Sequence, residues 1–142
     1  RSGRIRGIYP WGFEWPPPSH YDNFADVTAV QRSGADAAIP GYDDRFSFTA
    51  PVTALQPNEN GLVGLAGNVS EWVDTDYEKK AEGEGKDKGS VLGTVRGGNW
   101  KSHSQEELLA STRMALAADA RRNTVGFRLA LSRGAAVSQL DK

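Results

Sequence analysis

The chain has 142 residues, about one ordinary domain, and its 38% hydrophobic content with sixteen glycines is the balance of a folded, water-soluble unit. Lys plus Arg is 17 against 18 for Asp plus Glu, so a net charge of -1 supplies no bulk field for a polyanion and disfavours nucleic-acid binding. No run approaches the roughly 18 apolar residues of a membrane-spanning helix, so no membrane insertion is expected, and the absence of cysteine removes disulfides, thiolate metal sites and thiol nucleophiles together.

Arg1 opens the sequence and its one methionine is Met114, which leads us to expect a processed or excised piece. The chain up to about residue 50 is punctuated, not periodic: Tyr9-Pro10-Trp11-Gly12, then Trp15-Pro16-Pro17-Pro18, then Gly41-Tyr42-Asp43-Asp44. Proline fixes its own dihedral and disfavours a helix just before it, so this region reads as ordered loops. Trp11, Phe13, Trp15, Tyr21, Phe24, Phe46 and Phe48 supply the apolar area to anchor those loops on a core.

Residues 78–90 mix charges of both signs with glycine and carry no large apolar group, the pattern of a flexible, solvated loop. Strands are predicted at Val91–Arg96 and Val125–Leu131, in one sheet; Ser111–Leu116 alternates less cleanly and could extend a preceding helix, but is read as a further strand. Ser104-Gln105-Glu106-Glu107 matches a capping box, which predicts a short helix from Gln105 to about Leu109. Residues 132–142 read as a frayed tail.

The run Gly61-Leu62-Val63-Gly64-Leu65-Ala66-Gly67-Asn68-Val69-Ser70-Glu71-Trp72 has two readings. Glycines can turn carbonyls inward and Glu71 can complete an oxygen cage for a hard cation such as calcium; equally, the run is a tight turn before a core tryptophan. Asn23, Asp26, Asp43 and Asp44 are likewise either oxygen ligands or turn residues. Arg96-Gly97-Gly98-Asn99-Trp100 lacks the Lys-Ser/Thr of a phosphate loop. Arg128, inside an apolar strand pattern, calls for a structural ion pair. His20 and His103 are too isolated for a zinc site and read as surface residues, and no serine sits in a nucleophile elbow.

Taken in order, Tyr9-Pro10-Trp11-Gly12, Asn23-Phe24-Ala25-Asp26, Thr49-Ala50-Pro51-Val52, Asn58 with Gly61-Leu62, Ala66 to Trp72, Arg96-Gly97-Gly98-Asn99-Trp100 and Gly126-Phe127-Arg128 resemble the formylglycine-generating enzyme family, or sulfatase-modifying factors. The resemblance runs from about Ile8 to Leu131, the expected core, and matches the C-terminal portion of that family's domain. It implies an α+β, C-type lectin-like variant with much irregular loop structure and a small antiparallel sheet. It also implies a partner: the N-terminal half of the domain, on the same or another chain.

By the same resemblance, calcium is held by side chains of Asn23 and Asp44 with main-chain carbonyls of Phe24 and Phe46. A second calcium would use Glu71 with carbonyls around Leu65, Gly67 and Val69, but the Asp or Asn usual at the position of Gly64 is absent. Family members that make formylglycine use two cysteines after the Arg-Gly-Gly motif as copper ligands; Ser102 and Glu107 stand at those positions. Neither replaces a soft thiolate, so no copper, no iron and no formylglycine-generating activity are expected. The expected function is a non-catalytic, calcium-braced, lectin-like binding or sensor module of a larger bacterial protein. Its ligand-facing candidates are Lys101, His103, Gln105, Arg121, Arg122 and Asn123. The alternative is a scaffold part of an enzyme or protein kinase assembly, and a degenerate paralogue that pairs with an active homologue is a third reading.

Overall fold

A computed structural model describes residues 7–58, 60–76 and 92–130. The expected charged loop at 78–90 and tail at 132–142 lie outside the described residues. Up to Ala50 the chain is mostly irregular, yet Asp22, Asn23, Phe24, Ala25 and Asp26 are all buried in succession. One helix interrupts the loops, α1 (Val27–Ser33). Asp26 caps it by accepting the Ala29 N–H at 2.7 Å, and Gly34 ends it at φ 70, where a residue without Cβ carries no left-handed penalty. The punctuated sequence predicts loop here, although the acidic cap Asp26 and Gly34, eight residues after it, are helix signals. Seven residues are too few for apolar periodicity to declare a helix.

The sheet is built from β1 (Ser70–Asp76), β2 (Leu92–Arg96), β3 (Arg113–Ala117) and β4 (Val125–Gly126), in the order β3-β2-β1-β4. β1 and β3 each run antiparallel to β2, but β4 lies parallel to β1. The sheet is therefore mixed, and the expected all-antiparallel arrangement is corrected by the way the chain crosses from the β3 edge to the β1 edge before β4. β2 and β3 match their expected strands to within two residues. They share the sheet with β4 only through β1, whose glycine-rich approach reads as a turn in sequence.

Two further expectations are corrected. Of the expected strand Val125–Leu131, whose last residue lies outside the described residues, pairing is confined among those described to Val125 and Gly126, and beyond it Phe127 is 74% and Leu129 91% exposed, because nothing among the described residues covers that face. At Gln105–Leu109 the capping bonds form, Glu107 N–H to Ser104 Oγ and Ser104 N–H to Glu107 Oε2, but only a turn follows. Leu108 is drawn into the core and the Ala110 N–H goes to the Ile8 carbonyl, which ends helical bonding.

The core joins Tyr9, Phe24, Ile39, Tyr42, Ala66 and Leu108, with Trp11, Trp15 and Tyr21 packed around it. Trp11 stacks on Tyr9 at 4.8 Å and meets Tyr21 edge-on, so the proline-rich loops are anchored as expected from their aromatics. Phe13 is the exception, 71% exposed. Trp100 is buried, and Phe48 packs edge-on against it.

Candidate functional site

The buried 22–26 segment organises the molecule through its carboxylates. Asp22 accepts the N–H groups of Ala66 and Gly67 on Oδ2, both at 2.9 Å, and that of Asn23 on Oδ1. Asp44 accepts Phe24 N–H on Oδ2 at 2.8 Å and Phe46 N–H on Oδ1 at 2.9 Å. Asp26, beyond its capping bond, accepts the N–H groups of Asp44 and Arg45 on Oδ2. Asp26 thus serves as the cap of α1 and as a brace for the 44–45 backbone, and Asp43 is exposed at 3.9 Å from Arg45, so both behave as turn residues.

These carboxylates sit close together out of water. Burial, reinforced by the charges of Asp26 and Asp43 and only partly offset by the two backbone bonds, pushes the Asp44 carboxyl up to about 7. Burial also raises the Asp22 carboxyl, against its three backbone bonds and the Arg128 charge. The Tyr42 phenol, donating to the Asp22 carbonyl, is raised by desolvation too.

Asp44 thus links Phe24 and Phe46, one oxygen accepting each N–H group, and Asn23 directly precedes Phe24 in the chain. The Asn23 amide is fixed by donating to the Phe48 carbonyl at 2.7 Å and to Asn68 Oδ1 at 3.0 Å, which leaves its own Oδ1 buried without a hydrogen-bond partner. A buried acceptor in that state is what a cation would satisfy, and amide, carboxylate and carbonyl oxygens are the donor set that suits calcium. Among the described residues no three His, Asp or Glu groups form a metal cluster, so a cation here would lean on amide and main-chain oxygens.

At the second position the picture differs. Glu71 faces Arg128: Nε donates to Oε2 at 2.6 Å and Nη2 donates to Oε1. The same Nη2 reaches the carbonyls of Val63 and Gly64. The Gly67 carbonyl accepts the Val69 N–H, and Leu65 and Val69 are half-buried in the same loop. Arg128 therefore makes the expected ion pair, with a partner that sequence spacing did not name.

Of the ligand-facing candidates, Lys101 lies over the Trp100 ring at 4.9 Å, while Trp100 Nε1 donates to the Asn123 carbonyl, so positions 101 and 123 share one aromatic anchor. Arg121 and Arg122 are exposed just before the turn at Asn123 and Thr124, and Arg122 lines a pocket of about 290 Å³ with Ser70, Asn99 and Thr124. His103 and Gln105 belong to the neighbouring capping turn instead. The His103 N–H donates to Glu107 and is half-buried, contrary to the expected surface position, and Gln105 accepts from the Tyr9 hydroxyl. His20 is exposed, as expected.

Ser102 and Glu107 are both structural acceptors. Ser102 is buried, its Oγ accepting the Asn99 N–H, and Glu107 accepts from the N–H groups of His103 and Ser104. Sequence reading missed Asp22 and Asn68. Asn68 sits at φ 65, and its Oδ1 accepts from Ala50 as well as Asn23. The Asp-Asn pair at 22–23 and the Gly-Asn pair at 67–68 were the available signals.

The sulfatase-modifying factor enzyme 1-like domain model matches residues 1–133. Inactive C-alpha-formylglycine-generating enzyme 2 of Mus musculus is 29% identical over 139 residues, covering 94% of this chain and 40% of the mouse protein. Formylglycine-generating enzyme of the same organism is 28% identical over 144 residues, covering 92% of this chain and 35% of that protein. The chain thus spans less than half the length of these relatives. In fold it resembles PvdO from Pseudomonas aeruginosa with a TM-score of 0.57 at 20% identity, over 85% of this chain and 44% of that one. The chain belongs to the sulfatase-modifying factor enzyme 1-like domain family.

Proposed function

We propose that this chain is a non-catalytic, calcium-braced binding module of C-type lectin-like type. The observation that carries it is the engagement of Ser102 and Glu107. Both positions that resemblance assigns to copper ligands hold oxygen side chains committed to backbone N–H groups, and the sequence contains no cysteine. Soft copper(I) has no thiolate to bind. Similarity to a mouse protein named as inactive supports the same direction.

In this reading calcium is held by Asn23 and Asp44 with carbonyls of Phe24 and Phe46, where it satisfies the buried Asn23 Oδ1 and neutralises a carboxylate that burial disfavours. Its role is bracing, tying the 22–26 segment to the 44–48 loop. The surface around Trp100, with Lys101, Arg121, Arg122 and Asn123 and the adjoining His103 and Gln105, faces the ligand. The exposed Phe127 and Leu129 are covered by a complementary segment, from the N-terminal half of the domain or a partner chain.

Incubating the chain with copper(I), oxygen and a cysteine-containing sulfatase-type peptide tests the catalytic part of this reading. Copper and oxygen alone oxidise thiols to disulfides, so the readout is the aldehyde: none above the protein-free control is expected, and aldehyde formation above that control overturns the reading.

A further inference from the structure

We infer that the second cation position of this chain is filled by its own Arg128 guanidinium, so that the 63–71 loop takes no calcium. The oxygens that a metal would need converge on that side chain. Nε donates to Glu71 Oε2 at 2.6 Å, and Nη2 donates to Glu71 Oε1, to the Val63 carbonyl at 3.2 Å and to the Gly64 carbonyl at 3.0 Å. Calcium takes six to eight oxygens. Here both Glu71 oxygens are already neutralised by a fixed guanidinium charge that would repel a metal cation, Gly64 has no side chain to contribute, and the Gly67 carbonyl is turned to the Val69 N–H at 2.8 Å.

The sheet explains why the guanidinium arrives there. Glu71 of β1 is in register with Gly126 of β4, and Arg128 follows two residues later, within reach of the β1 carboxylate. A planar fork suits a carboxylate bidentately, and its remaining donor edge suits paired carbonyls. A guanidinium keeps its charge across the physiological range, and this one is anchored on Glu71 from two nitrogens. Bracing of this loop is thereby independent of calcium concentration.

This inference rests on the proposed reading only in treating Asn23 and Asp44 as the calcium site, and the test separates the two. Calcium stoichiometry is measured by calorimetry, and melts are run with calcium and with chelator, on wild type, Asp44→Asn, Glu71→Gln and Arg128→Gln. Expected are no more than one calcium per chain, loss of the calcium response in Asp44→Asn, and its retention in Glu71→Gln. Glu71→Gln and Arg128→Gln should lower the melting temperature equally in both buffers. Two calcium ions per chain, or a calcium response abolished by Glu71→Gln, overturns the inference. No calcium bound to wild type supports it while overturning the first-site reading. Should Arg128→Gln not fold, the wild-type stoichiometry and Glu71→Gln still decide.

Discussion

Asn68 Oδ1 accepts the Asn23 side-chain amide at 3.0 Å and the Ala50 N–H at 2.7 Å, so one side chain ties together three segments far apart in sequence. Truncating it leaves two inward-facing donors without an acceptor, and Asn68 holds a left-handed φ of 65 that alanine tolerates less well. Asn68→Ala should therefore cost about 2–4 kcal/mol, read from the midpoint shift of urea unfolding. A change below about 0.5 kcal/mol would mean the junction carries little of the stability.

Two glycines with different reasons separate steric from dihedral effects. A Cβ at Gly67 would lie 2.5 Å from the Asn23 carbonyl oxygen and 2.7 Å from the Phe24 ring, both fixed in the core. Gly61 has open space around it and only a φ of 74 to protect. Gly67→Ala should cost about 3 kcal/mol and Gly61→Ala about 1, compared by thermal unfolding of the purified variants.

The raised Asp44 carboxyl has a pH signature in chelator. A carboxyl with folded pKa about 7 holds its proton in the folded state while the unfolded chain, near 3.8, has lost it. The unfolded state then binds fewer protons, so this group's contribution makes stability fall as pH rises from about 4 to about 7. Asp44→Asn should flatten that slope in a pH series of chelator melts. An unchanged slope would place its origin elsewhere.

Phe127 and Leu129 are side chains of a core residue type left at the surface, 74% and 91% exposed. Replacing both with serine removes apolar area from water-facing positions and no buried contact, so the melting temperature should hold within the change typical of surface substitutions. Self-association of the isolated chain, followed by sedimentation velocity, should decrease. Equal association in the double variant would point to another surface.

Much of this was legible in the sequence, and the rest fails for identifiable reasons. β2 declares itself by the β-branched Thr94 and Val95 and the aromatic anchors by their company of prolines, while β3, RMALA, alternates poorly and fits a helix extension as well. β1 is hidden behind the glycines that precede it, and α1 is too short for a period. The Ser104–Glu107 bonds are a local rule obeyed, yet the helix they normally start is overridden by burial of Leu108. Asn23 and Asp44 could be named, but the importance of Asp22 and Asn68 lies in accepting amides some forty residues or about twenty residues away, which no spacing reveals.

The most direct test of the calcium-braced reading is a thermal melt of the chain with calcium and with chelator, repeated on Asp44→Ala. A ligand that binds only the folded state adds about 2.7 kcal/mol at a hundredfold excess over its Kd. The account predicts a cooperative melt that calcium shifts upward in wild type and leaves unmoved in Asp44→Ala. A cooperative wild-type melt indifferent to calcium contradicts it.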